Sequence, residues 1–139
     1  MAFQLDISVF KHTQWGGAIG NADLITLGKD WSAATFKLEV RTAKAAAGAA
    51  LITLNNATAG SEGVSATYDP DYVDPENGEV AGATIIRPQI DEATLSGLAA
   101  ASPASADRVL YYDLHVTPSG LPKRVYCYGA FTVDPGVTV

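Results

Sequence analysis

Alternation with a period of two dominates this chain. From Thr35 to Arg41, the apolar Phe36, Leu38 and Val40 interleave with Thr35, Lys37, Glu39 and Arg41. Successive side chains of a strand point to opposite faces, so this stretch predicts a strand with one apolar and one charged face. Leu110, Tyr112, Leu114 and Val116 repeat the pattern against Tyr111, Asp113, His115 and Thr117. Val125, Cys127, Gly129, Phe131 and Val133 do the same against Arg124, Tyr126, Tyr128 and Thr132. Between these last two runs lie Pro118, Ser119, Gly120, Leu121 and Pro122, a turn cluster that predicts a hairpin.

Shorter signals flank these three. Phe3, Leu5, Ile7 and Val9 alternate with Gln4, Asp6 and Ser8, which predicts one N-terminal strand. Residues 51–54 and 63–68 are short runs bounded by Asn55-Asn56 and Gly60-Ser61. Residues 80–86 form a further run, with Asn77-Gly78 before it as a tight primed turn. Pro88 is expected to close that run, because proline cannot donate to a ladder. One short helix is expected near 91–98. Asp91 suits its N-cap, Ile90 and Leu95 have the spacing of a hydrophobic staple, and Leu95 and Leu98 would face the core. Gly97 and Pro103 limit its length. Residues 43–50 and 99–106 are rich in small residues and read as loops, as do the residues around Trp15. Trp31 opens the Phe36 strand, and one of the two tryptophans is expected in the core.

About seven or eight short strands without a βαβ rhythm predict an all-β fold, an antiparallel β-sandwich. The 139 residues fit a single domain over 1–139, in which 1–27 supplies an N-terminal strand and loop. Nine basic and fifteen acidic residues give a net charge of −6, which argues against nucleic acid as a partner, since that binding needs Lys and Arg to displace counterions. An apolar fraction of 47 % excludes a disordered tail, and a single cysteine excludes an internal disulfide scaffold. The first residues have neither the basic start nor the apolar run of about 7–15 residues that a secretory signal needs. No apolar stretch approaches the roughly 20 residues that span a bilayer. Synthesis in the cytoplasm and no membrane partner are therefore expected.

Candidate chemistry is sparse. No phosphate loop, zinc spacing or nucleophile elbow is present, and no cofactor is expected. Cys127 reads as a small buried hydrophobe. His12 and His115 are the only imidazoles, and His115 shares its strand face with Asp113. An exposed strand histidine is the simpler account of that pair than a Ser-His-Asp set. Residues 69–79 hold five acids, Asp69, Asp71, Asp74, Glu76 and Glu79. Ca²⁺ takes about six to eight oxygen ligands, which such a loop could partly supply. Gly78, however, stands at the tenth position instead of the sixth, and Pro70 and Pro75 stiffen the loop. No metal is therefore assigned, and these acids read as a solvated loop. Tyr111, Tyr126 and Tyr128 are expected on one sheet face, opposite Tyr112 and Phe131, either as cross-strand pairs on a partly wet face or as a contact surface for another subunit.

The C-terminal third carries a resemblance. Tyr111 or Tyr112, depending on register, with Asp113, Leu114, Val116, Gly120, Gly129, Phe131, Val133, Pro135, Val137 and Thr138, resemble the closing hairpin of small phage and prophage tail proteins. In those proteins a Tyr-x-Asp-Leu-x-Val strand, a glycine turn and a Gly-x-Phe-x-Val strand lead into Pro-x-Val-Thr. Gly28, Lys29, Asp30 and Trp31, followed by the Phe36 strand, resemble the start of the same domain more loosely. The family is similar to the N-terminal β-sandwich domain of phage baseplate upper proteins. The resemblance implies a non-enzymatic virion structural subunit in the tail or baseplate, partnered by other tail subunits. Copies would assemble as a trimer or hexamer. The chain would reside in the virion once assembled and in the host cytoplasm before that. It ends just after Thr138, where baseplate proteins often continue into fibre-like regions, so an assembly role is expected over receptor binding. A carbohydrate-binding sandwich module and a head-decoration protein are the alternatives.

Overall fold

The computed structural model describes residues 2–19 and 22–137. The described residues form β1 (Phe3–Gln4), β2 (Ile7–Phe10), β3 (Trp15–Gly16), a 3-10 turn (Gly17–Ile19), β4 (Leu24–Leu27), β5 (Thr35–Arg41), β6 (Ile52–Leu54), β7 (Gly63–Asp69), β8 (Ala83–Ile90), a short helix α1 (Glu92–Ser96), β9 (Arg108–Thr117) and β10 (Arg124–Asp134). Thr138, the last position of the tail-protein resemblance, lies outside the described residues.

Two sheets pack face to face as a β-sandwich. In the first, β10 carries β1 and β2 on one edge, followed on the other by β9, β5 and β6. In the second, β8 is central. β7 occupies one edge of β8 from Ala83 to Gln89, so β4 and β3 share the other edge end to end. The core lies between the sheets and is built from the alternating apolar positions. Phe36, Leu38 and Val40 meet Leu114, Val116 and Phe131 from one sheet and Val64, Ile86 and Ile90 from the other. Both tryptophans are buried there, not one. Trp15 stands edge-on to Phe131 at 6.3 Å. Trp31 is anchored by its backbone N–H, which donates to Thr84 Oγ1 at 2.8 Å, while that hydroxyl donates to the Lys29 carbonyl. Thr84 is thus fully buried with its hydrogen bonds made, as a core hydroxyl must be.

Trp15 and Gly16, expected in a loop, form β3. Four further expectations about the strands, turns and caps change. The N-terminal strand is broken in two, and both pieces run parallel to β10: Phe3 pairs with Cys127, and Ile7 with Phe131. The break falls at Leu5 and Asp6, which cross over Gly129. A Cβ on Gly129 would stand 2.5 Å from the Leu5 carbonyl oxygen. Second, Pro88 does not close β8, which runs through it to Ile90. Gly28 donates to Gly82, so even-numbered residues of β8 direct their backbone groups toward the β4 edge. β4 ends at Leu24 opposite Ile86, so the proline nitrogen falls in the gap before β3, where no ladder bond is lost. Third, Asn77-Gly78 is not a two-residue primed turn. Gly78 has a φ of +72° but Asn77 does not share it, and Gly78 N–H bonds back to the Asp74 carbonyl. Fourth, Asp91 caps α1 without its side chain, which accepts from Gln89 Nε2 at 2.7 Å instead. Leu95 and Leu98 of this corner are buried, as expected.

The hairpin of β9 and β10 forms as the alternation predicts, with one bulge. Val125 faces His115 and Cys127 faces Leu114, so Tyr126 is the extra residue. Two residues opposing one shift the phase of the strand. Val125 therefore stays on the outer face with His115, while Tyr126 turns inward.

Candidate functional site

The outer face of the six-stranded sheet is ordered in rows by the ladder. Lys37 pairs with His115 and Val125 follows; Glu39, Asp113 and Tyr128 form the next row; Arg41, Tyr111 and Ala130 form the third. The inward alternation of Phe36, Leu38, Leu114 and Phe131 forces these residues outward. His115 Nε2 lies 3.2 Å from Asp113 Oδ2. Glu39 sits between two cations, 4.0 Å from Lys37 Nζ and 3.5 Å from Arg41 Nη2. Arg41 also donates to the carbonyls of Ala46 and Gly48, at 3.1 and 2.6 Å. That clamp holds the 43–50 loop as a wall, and the resulting shallow groove of about 490 Å³ is lined by Tyr111, Tyr128, Val125 and the charged rows.

The bulge splits the three tyrosines that the sequence places together. Tyr111 and Tyr128 stand on the outer face, and Tyr128 is 38 % exposed. Tyr126 lies between the sheets instead, edge-on to Phe3 at 5.2 Å and to Trp31 at 5.7 Å, its hydroxyl 2.7 Å from Thr26 Oγ1. Burial raises its pKa. Val125, Glu39 and Arg41 take its place on the face. Arg41 was legible only as a charged strand end, and the carbonyls it clamps belong to a loop with no motif.

The other candidates are separate. Among the described residues that line the groove beside the His115–Asp113 pair, the hydroxyl-bearing ones are tyrosines, and none is Ser, Thr or Cys. His12 sits near α1, its Nδ1 3.1 Å from Ser96 Oγ. Two of the five carboxylates of the acidic loop are engaged in local turns. Asp69 Oδ1 accepts from Asp71 N–H and Asp74 Oδ1 from Glu76 N–H, each at 2.9 Å. Among the described residues no three His, Cys, Asp or Glu side chains stand close enough to hold a metal ion. No helix among them is long and apolar enough to cross a membrane.

Cys127 is buried in the core beside Tyr112, whose hydroxyl lies 3.7 Å from its sulfur and donates to the Leu5 carbonyl at 2.5 Å. Burial pushes the thiol up from 9.0 to about 11, and Tyr112 is raised as well, also by burial. An unfolded chain releases the thiol proton near 9.0, whereas the folded chain holds it until about 11. Stability is therefore complete below that window and falls as pH rises through it. The urea midpoint is expected to stay level up to about pH 9 on this account and to drop above it, with a shallower drop in Cys127→Ala. A midpoint unchanged between these pH values would refute the assignment.

A second open space, of about 450 Å³, lies between the sheets where the β1–β2 edge faces β4. Phe3, Leu5, Trp15, Leu24 and Tyr126 line it. Compared with protein-family models and with curated proteins, the chain matches none.

Proposed function

We propose that this chain is a non-enzymatic structural subunit of a phage or prophage tail, an adaptor in the tail or baseplate that works through contacts with neighbouring subunits. The observation that carries the reading is the outer face of the six-stranded sheet. It presents Tyr111 and Tyr128 beside Val125, framed by fixed charge rows and a clamped loop, on a rigid two-layer scaffold. Tyrosine offers a large contact area at low entropic cost and is enriched at interfaces, whose polar rims set register. The similarity of the closing hairpin to tail proteins supplies the setting. Copies arranged around a tail axis would form a ring, a trimer or hexamer. The mechanism is shape and charge complementarity, with no bond made or broken.

Mass spectrometry of purified particles tests the role, and consistent absence of the chain would end it. The face itself is tested by Tyr111→Ala combined with Tyr128→Ala. Incorporation into particles should fall while the fold is unchanged, since surface substitutions usually shift stability by under about 0.5 kcal/mol. Normal incorporation of the double variant would move the contact elsewhere. A carbohydrate-binding module is the second reading, favoured by the same groove, where tyrosines adjoin Arg41, Glu39 and Asp113. Binding on a glycan array that disappears in the double variant would support it over the first.

A further inference from the structure

The two lateral sides of the sandwich differ. On one, the chain passes directly from β6 to β7, and Asn56 stitches the crossing. Its Oδ1 accepts from Phe36 N–H at 2.6 Å, its Nδ2 donates to the Ala34 carbonyl at 2.9 Å, and its backbone bridges Val64. On the other side, no strand among the described residues joins the edges of β4 and of β1. There the sheets stand open around the 450 Å³ space, and Phe3, Leu5, Ile25 and Leu27 are 42, 37, 39 and 42 % exposed.

We infer that this open side docks a second copy of the chain, with β4 pairing antiparallel to its counterpart about a two-fold axis through Thr26. The inference takes its setting from the assembly reading above and names the partner. Strand edges are ordinarily guarded by charge, proline or a bulge, because unpaired N–H and C=O groups template another strand. β4 reads Leu-Ile-Thr-Leu and carries none of these. Gly28 donates to Gly82, so even-numbered residues of β4 bond β8, and Ile25 and Leu27 direct their backbone groups to the free edge.

An occupant must therefore be an extended strand, and β4 complements itself. With Thr26 on the axis, Ile25 of each copy meets Leu27 of the other. The outward backbone groups then pair, and the two exposed apolar side chains cover each other. The same axis turns the two β1–β2 edges toward one another, so Phe3 and Leu5 widen the buried area. Charge favours this seam. The chain carries a net −6, yet Leu24 to Gly28 contains no charged residue. Beyond it, Asp23 is neutralised by Arg87 at 3.1 Å. Along β4 two acidic copies can thus meet without opposing like charges, while Asp6 on the β1–β2 edge accepts from Ala130 N–H at 3.1 Å. The contact is isologous and closes at two, so a hexamer on this reading is three such pairs.

Sedimentation of the purified chain over a concentration series tests this. Wild type should run at twice the chain mass. Leu27→Pro removes only an edge-facing N–H, which an edge strand tolerates, and Ile25→Lys adds a charge to the seam. Both should run at the chain mass, with the circular dichroism of the wild type. Amide exchange should show Ile25 and Leu27 protected in wild type and Ile25 unprotected in Leu27→Pro. Wild type that stays monomeric throughout would overturn the inference, as would a dimer that survives either folded variant. A dimer formed by a chain absent from particles would sink the virion role alone. A monomeric chain present in particles would sink this inference alone.

Discussion

Phe131→Ala is expected to lower the unfolding free energy by about 3–5 kcal/mol, as removal of a buried phenylalanine does where the cavity cannot collapse. Phe131 is fully buried. Its ring is fixed edge-on by Trp15 at 6.3 Å and by Tyr112 at 6.4 Å, and its backbone lies between Leu110 of β9 and Ile7 of β2. Both ring neighbours are held by their own strands, so neither can move in to fill the hole. Against a total stability of about 5–15 kcal/mol for a domain, such a loss leaves little reserve. Urea denaturation followed by tryptophan fluorescence measures it, since Trp15 reports directly on the emptied space. Phe131→Leu, which keeps most of the volume, should cost markedly less. A loss below about 1 kcal/mol for alanine would mean that the strands close over the gap, contrary to the rigid packing inferred for them.

That one residue also shows what the chain discloses unaided. Phe131 stands in an unbroken alternation, and wherever a strand has one buried and one wet face, the period of two is written in residue types. β5 is the clearest case, its ends at Thr35 and Arg41 agreeing with the pattern. β4 has no such signature, because four residues with one polar member are too short to show a period. Trp15 and Gly16 are shorter still, and only tertiary pairing with Gln89 and Ile90 makes them a strand. The parallel pairing of β1 and β2 depends on partners more than a hundred residues away, to which local pattern is blind.

The candidate site was legible to the same degree. Tyr111 and Tyr128 follow from alternation, but Tyr126 does not. The bulge at residues 125 and 126 shifts the phase between two side chains that both tolerate either face, Val125 apolar and Tyr126 amphipathic. Composition leaves no trace of such a slip. Pro88 misleads for a related reason. A proline forbids one hydrogen bond, not a strand, and where β4 ends and β3 has yet to begin that bond has no acceptor to lose. The acidic loop is the opposite case. Its turn residues are written in the sequence, and one oxygen each of Asp69 and Asp74 closes a local turn.

Gly129→Val should unfasten the N-terminal segment from β10. The Gly-x-Phe-x-Val spacing places this glycine two residues before Phe131, and its Cα is where Leu5 and Asp6 cross between β1 and β2. An added Cβ would stand 2.5 Å from the Leu5 carbonyl oxygen, 2.7 Å from Asp6 Oδ1 and 2.9 Å from the Leu5 carbonyl carbon. Two of these atoms are backbone, so relief requires the crossing itself to move. Three bonds depend on its position: Leu5 N–H to the Tyr128 carbonyl at 2.8 Å, Ala130 N–H to Asp6 Oδ1 at 3.1 Å, and the Tyr112 hydroxyl to the Leu5 carbonyl. At about 0.5–1.5 kcal/mol each, their loss amounts to roughly 1.5–4.5 kcal/mol, before the β-branched side chain is accommodated. Amide exchange separates this local release from global unfolding. Leu5 and Ala130 should lose protection by more than Leu38 or Leu114, which lie in the core on β5 and β9. Because β1 flanks the open side of the sandwich, the same variant should weaken self-association at concentrations where the chain is still folded. Uniform loss of protection across all four amides would instead show that the crossing and the core unfold as one unit.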